Sequence, residues 1–145
     1  MKIDFYVLSE QGLQAEWSFA CKLIVKAYDM RQQMYVFCNS KEEAYAFDEF
    51  LWQFNPNHFI PHHIQGEGPQ PPPSVQIGYE QKASPIKEIL INLSHIIPVS
   101  FRQYKRIIEI VPNEVHVAEI RRQHYRLYHG HQFKIDTHHQ QMITS

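Results

Sequence analysis

The sequence predicts an α/β domain: a mainly parallel central sheet flanked by helices, Rossmann-like in outline but without nucleotide-binding motifs. Three observations predict it. Short apolar, β-rich runs recur along the chain; the first two are separated by a stretch of helical apolar period; and a second helix with its own start signal follows.

The first run, IDFYVL (residues 3–8), is nearly continuous in apolar residues, as a strand buried on both faces requires. After the break SEQG, Leu13, Trp17, Ala20, Cys21, Ile24 and Tyr28 recur at helical spacing and predict an amphipathic helix over about 13–30. QMYVFC (33–38) is the next strand, which completes a βαβ unit and favours a parallel pair with a right-handed crossover. In NSKEEAYAFDEFLW, Ser40 is placed as N-cap and Glu43 as its reciprocal partner, a capping box opening a helix that ends near Trp52.

Pro56 and the stretch FIPHHIQGEGPQPPP (59–73) come next. Pro69, Pro71, Pro72 and Pro73 forbid helix and central strand there, so an ordered loop or polyproline II segment is expected. SVQIGY (74–79), EILINL (88–93) and IIEIV (107–111) read as further strands, with a helical turn over about 101–106. PNEVHVAEIRRQHYRLYHG reads as a last helix capped by Asn113 and stopped by Gly130, with Val117, Ile120, His124, Leu127 and Tyr128 facing inward. HQFKI (131–135) suggests an edge strand. From Asp136 the chain is polar and expected to fray, which gives one domain over 1–135 and a tail over 136–145.

At 145 residues, with 43% hydrophobic residues, nine Phe, eight Tyr and two Trp, the chain can build its own core. A formal charge of −1 supplies no whole-molecule field toward nucleic acid or anionic lipid, so electrostatic recognition has to be local. The start lacks a signal peptide's basic segment and apolar stretch, and no run of about eighteen apolar residues occurs. The expectation is a cytoplasmic protein without a membrane role. Cys21 and Cys38 form no CxxC pair and are expected to be reduced core thiols.

Chemistry-bearing motifs are sparse. No GxxxxGK[ST] occurs, and SEQG offers one glycine where a dinucleotide fold wants three. In GEGP, Glu67 repels phosphate and Pro69 removes an amide donor. Among ten histidines, His58 and His62 are kept from helical alignment by Pro56 and Pro61, while His62 and His63 diverge in an extended segment. No cysteine or carboxylate completes a zinc pattern beside them, so surface or loop-stabilising histidines are expected. Neither a metal, a cofactor nor a catalytic residue is assigned. The last helix is more informative, because Arg122, Tyr125 and Arg126 share a stripe. Two guanidinium groups around an aromatic ring suit carboxylates and an apolar side chain; a solvated basic face near a helix C-terminus is the other reading.

Taken together, FYVL, EEAYAFDEFLW, FIPHHIQGEGP, ILINLS, EIVPNE and RRQHYRLY resemble the chi subunit family of bacterial DNA polymerase III, an accessory of the clamp loader, over nearly the whole chain. The ordered set DEFLW, FIPH, GEGP and a Tyr-basic-x-Tyr helix end carries the likeness. The resemblance implies a non-catalytic adaptor, monomeric or in a heterodimer with the psi subunit. It also implies binding to the acidic C-terminal tail of single-stranded-DNA-binding protein, and contact with DNA only indirectly. Carried over by position, tail binding falls on Arg122, Tyr125 and Arg126, with Val111 and Pro112 as apolar floor, and psi binding on Trp52, Phe59 and Pro61. Ala118 stands where a further basic residue is expected, which would weaken the grip on the acidic part of the tail. The competing readings are a degenerate nucleotide-binding enzyme domain and a direct single-stranded-DNA binder using Arg121, Arg122, Arg126 and Lys134.

Overall fold

The computed structural model describes residues 1–54, 60–67 and 73–140. Its strands are β1 (Lys2–Leu8), β2 (Met34–Phe37), β3 (His62–Ile64), β4 (Val75–Gly78), β5 (Ile89–Asn92), β6 (Arg106–Val111) and β7 (Ile135–Gln140). The helices are α1 (Leu13–Asp29), α2 (Lys41–Phe54) and α3 (Val115–Gly130), and Phe101–Gln103 form a 3₁₀ turn. Among the described residues the strands make one sheet in the order β3-β4-β2-β5-β6-β1-β7, with every pair parallel. The α/β class read from the sequence is the observed one.

All four residues of β2, β4 and β5 are buried, so their continuous apolar character reflects cover on both faces. Alternation along each strand then divides the core. Met34, Val36, Ile91, Ile108 and Ile110 pack with Cys21 and Ile24 of α1 and Phe47 of α2, whereas Tyr35, Phe37, Leu90 and Ile107 pack with Tyr104 and Tyr128 on the other face. From β1 to β2 the chain travels one way across the sheet with α1 on the first face; from β6 to β7 it travels the other way with α3 on the second. Reversing direction and face together keeps the crossovers of one hand.

Local details refine the expected boundaries. Glu43 N donates to Ser40 Oγ at 3.2 Å, but the Glu43 carboxylate reaches back to Asn39, taking its Nδ2 at 2.9 Å, instead of closing the box on Ser40. Glu114, not Asn113, caps α3, its carboxylate accepting from the amides of His116 and Val117 at 3.2 and 2.8 Å. These bonds lower the Glu114 pKa, backbone donation being the cause. Gly130 does not stop that helix with a left-handed turn; Gln132, at φ 63°, supplies the reversal.

Two expectations are overturned. Residues 62–64, read as loop, form an edge strand, because the prolines flank the pairing segment and a strand at the sheet margin needs partners on one side only. Residues 136–140, expected to fray, are most of β7, paired with β1 in parallel; the edge strand starts at Ile135, where the sequence had suggested one over 131–135. The polar string IDTHHQ disguised it, since an edge strand tolerates polar residues that a central strand does not. Phe59, His58, Pro56 and the prolines at 69, 71 and 72 lie outside the described residues.

Candidate functional site

In open parallel sheets, ligands sit beyond the carboxyl ends of the strands, where neighbouring strands send their helices to opposite faces. Here that place is between β1 and β6, and it is filled. Asn113 N and Nδ2 donate to the carbonyls of Glu10 and Ser9 at 3.2 and 3.1 Å. Behind them lies Arg121 of α3, fully buried. Its Nε donates to Ile110 O at 3.0 Å, its Nη1 to Ser94 O, and its Nη2 to the buried Glu16 carboxylate of α1 at 2.8 Å. Burial raises the Glu16 pKa, with the Arg121 guanidinium opposing it.

The same interior holds Glu109, on β6. Its carboxylate accepts from Asn92 Nδ2 at 2.9 Å and from the Tyr128 hydroxyl at 2.8 Å, and lies 2.9 Å from His124 Nδ1. Burial, then the neighbouring Glu109 charge, drives the Tyr128 hydroxyl well above its ordinary pKa. The buried residues of α3 are therefore Arg121, His124 and Tyr128; Val117 and Ile120, also expected inside, are half-buried, and Leu127 is exposed. A buried polar network thus joins α1, α3 and the carboxyl ends of β5 and β6. It also withdraws Arg121 from any contact with DNA.

The outer face of α3 is different. Arg122 and Arg126 expose 62% and 66% of their side chains, and both guanidinium groups turn to Glu119: Arg122 Nη1 lies 3.1 Å from one carboxylate oxygen and Arg126 Nη1 3.5 Å from the other. Tyr125, 38% exposed, packs edge-on against Phe5 with ring centroids 5.3 Å apart and stacks on His129 at 6.1 Å. Val111 ends β6 half-buried, opposite Val7 of β1, and Pro112 is buried just before the α3 cap. The structure thus sets Arg122, Tyr125 and Arg126 on one surface, with Val111 and Pro112 at the strand end that leads into it. Sequence reasoning missed Glu119, although its spacing before both arginines was readable.

The second group of expected residues lies at the other edge of the sheet. Trp52, in the last turn of α2, is 37% exposed and packs against His62 with ring centroids 3.9 Å apart and planes tilted by 35°. Pro61 leads into β3, half-buried. His62 is buried, its Nδ1 2.7 Å from Ile60 O and its Nε2 3.2 Å from Asp48 O, so it holds the loop as a structural histidine. Glu67 takes the Tyr45 hydroxyl rather than facing an open cradle, and that bond raises the Tyr45 pKa to about 12. Gly66, at φ 89°, permits the turn between them.

Among the described residues no group of three His, Cys, Asp or Glu side chains is placed to hold a metal ion, and no helix is long and apolar enough to cross a membrane. Cys21 and Cys38 are buried and free, and burial pushes the Cys21 thiol up to about 12.

Residues 1–136 match the family described as DNA polymerase III chi subunit, HolC. A DNA polymerase III subunit chi of Haemophilus influenzae is 31% identical over 124 residues, covering 85% of this chain and 86% of the relative. Those of Escherichia coli and Pseudomonas aeruginosa are each 28% identical, over 92% and 94% of this chain and 94% and 95% of their own lengths.

Proposed function

The chain belongs to the DNA polymerase III chi subunit family, and from that premise we propose that it is a non-catalytic adaptor of DNA replication. It links the psi subunit of the clamp loader to the acidic C-terminal tail of single-stranded-DNA-binding protein. The tail lies along the outer face of α3, where Arg122 and Arg126 take its carboxylates, Tyr125 packs on its terminal phenylalanine, and Val111 and Pro112 form the apolar floor. Psi docks at Trp52, Phe59 and Pro61. The protein works in the cytoplasm, alone or paired with psi, and touches DNA only through these partners.

One observation carries this reading: the two exposed guanidinium groups beside Tyr125 already hold a carboxylate, that of Glu119, at 3.1 and 3.5 Å. A surface that binds an internal carboxylate in this geometry offers the same donors to an aspartate from elsewhere. Placement supports the adaptor role, because Trp52 lies on α2 beside the β3 edge whereas α3 lies on the opposite face, over β6 and β1. Two partners can be held at once.

The test is fluorescence anisotropy with a labelled peptide ending in Asp-Ile-Pro-Phe. Arg122→Ala weakens binding, and added salt weakens the wild-type complex. Equal affinities for mutant and wild type would remove the site.

A further inference from the structure

We infer that Glu119 is a built-in competitor at this surface: in the free protein its carboxylate occupies the guanidinium groups that an acidic peptide needs, and so sets how acidic that peptide has to be. The inference rests on the tail-binding reading above and names what regulates that site.

Glu119, Arg122 and Arg126 follow one another at three- and four-residue steps and therefore stand in a single row on α3. Each carboxylate oxygen of Glu119 serves a different arginine, Oε2 for Arg122 and Oε1 for Arg126. This bridging arrangement is the one a peptide carboxylate would adopt between the same two groups. All three side chains are exposed, so exchanging one carboxylate for another involves little desolvation, and the outcome is decided by local charge. With Glu119 present the row carries one net positive charge in place of two. Ala118, next to it, adds none.

Occupation is partial. A guanidinium has five N–H donors, and Glu119 engages one nitrogen of each arginine, leaving other donors for an incoming chain. A weakly acidic peptide has to share those arginines with Glu119, whereas a run of aspartates outcompetes it. The residue thereby lowers affinity for every acidic tail, so that more aspartates are needed to reach a given affinity.

The experiment measures the affinity of wild type, Glu119→Gln and Arg122→Ala for two peptides, one ending in Asp-Ile-Pro-Phe and one with its aspartates replaced by asparagine and its C-terminus amidated. Glu119→Gln is expected to tighten binding of the acidic peptide about two- to fivefold at low salt, as the loss of one exposed charge contact would. The gain should vanish for the neutral peptide and fade as salt is raised. Weaker or unchanged binding of the acidic peptide by Glu119→Gln, with Arg122→Ala still impaired, overturns the competitor role and makes Glu119 an organiser of the arginines or a bystander. A gain that persists with the neutral peptide overturns it too. Should Arg122→Ala bind as wild type does, the surface itself has been misread and both ideas fall. Glu119→Ala, with a thermal melt of each variant, guards against an effect peculiar to glutamine.

Discussion

The Arg121 guanidinium and the Glu16 carboxylate meet at 2.8 Å across 105 residues of chain, tying the last helix to the first beneath the carboxyl edge of the sheet. The buried Glu16 carboxylate depends on that guanidinium, while Glu109, held by Asn92, His124 and Tyr128, lies 3.9 Å from its Nε. Removing a single partner from a buried pair leaves a charge without compensation, which costs about 3–5 kcal/mol. Arg121→Met is therefore expected to lose that much in urea denaturation, and the double variant Arg121→Met/Glu16→Leu to recover much of it.

The loss carries a pH signature. Burial raises the Glu16 pKa, so the folded state holds that proton more tightly than the unfolded chain. Stability tied to such a group grows as pH falls and declines as pH rises through the folded pKa. Without Arg121 the shift enlarges, and the deficit of Arg121→Met shrinks on acidification.

Asp4 behaves in the opposite sense. Burial alone would raise its pKa, but hydrogen bonds from His138 at 2.9 Å and Arg106 at 2.7 Å outweigh burial and hold it below 3.8. Its contribution is full above the ordinary carboxylate value and is lost as pH falls through the depressed one. Because His138 lies on β7 and Arg106 on β6, the His138 part of that contribution docks the edge strand and the Arg106 part ties β1 to β6. Asp4→Asn is expected to flatten the acid limb of the stability profile and to cost about 1–3 kcal/mol at neutral pH. Hydrogen exchange of the amides in residues 135–140 should quicken more than that of β5.

The sequence made the central strands and helices legible because each announces itself locally, through an apolar run or a helical period. The interior of α3 did not. An arginine reads as surface until its partners are known, and those of Arg121 are Glu16, Ser94 and Ile110, brought together only by the folded sheet. Glu109 gave the one local hint, a charge amid IIEIV, and a charge in a central strand implies an internal partner. β7 was hidden for the converse reason: its outer side needs no apolar residues. The arginine and tyrosine stripe was legible as spacing, but its internal carboxylate was overlooked.

Gly78 marks a close approach. A Cβ there would fall on the Tyr35 hydroxyl and 2.6 Å from Cζ of the same ring. The ring has little room to move, since it lies parallel to Tyr104 at 6.3 Å and its hydroxyl donates to Gln65 Oε1 at 2.9 Å. Gly78→Ala is expected to destabilise by about 1–3 kcal/mol through overpacking. Tyr35→Phe, which removes the clashing oxygen, should relieve part of that in the double variant, as chemical denaturation would reveal.

The proposed psi surface makes a separable prediction. Trp52 presents an exposed ring backed by His62, whose two nitrogens face the carbonyls of Ile60 and Asp48 and thus fix the platform beneath it. An aromatic ring held in place before binding gives up little freedom on contact, which favours a large share of the interface energy. Trp52→Ala and Phe59→Ala are each expected to disrupt co-purification with psi, by about 2 kcal/mol or more. Affinity for the acidic peptide should stay as in wild type, because Trp52 lies on the opposite face of the sheet from Arg122. If either variant lost both partners together, the cause would be a damaged fold, and a thermal melt would register it. If both variants kept psi, the docking surface would have to lie elsewhere.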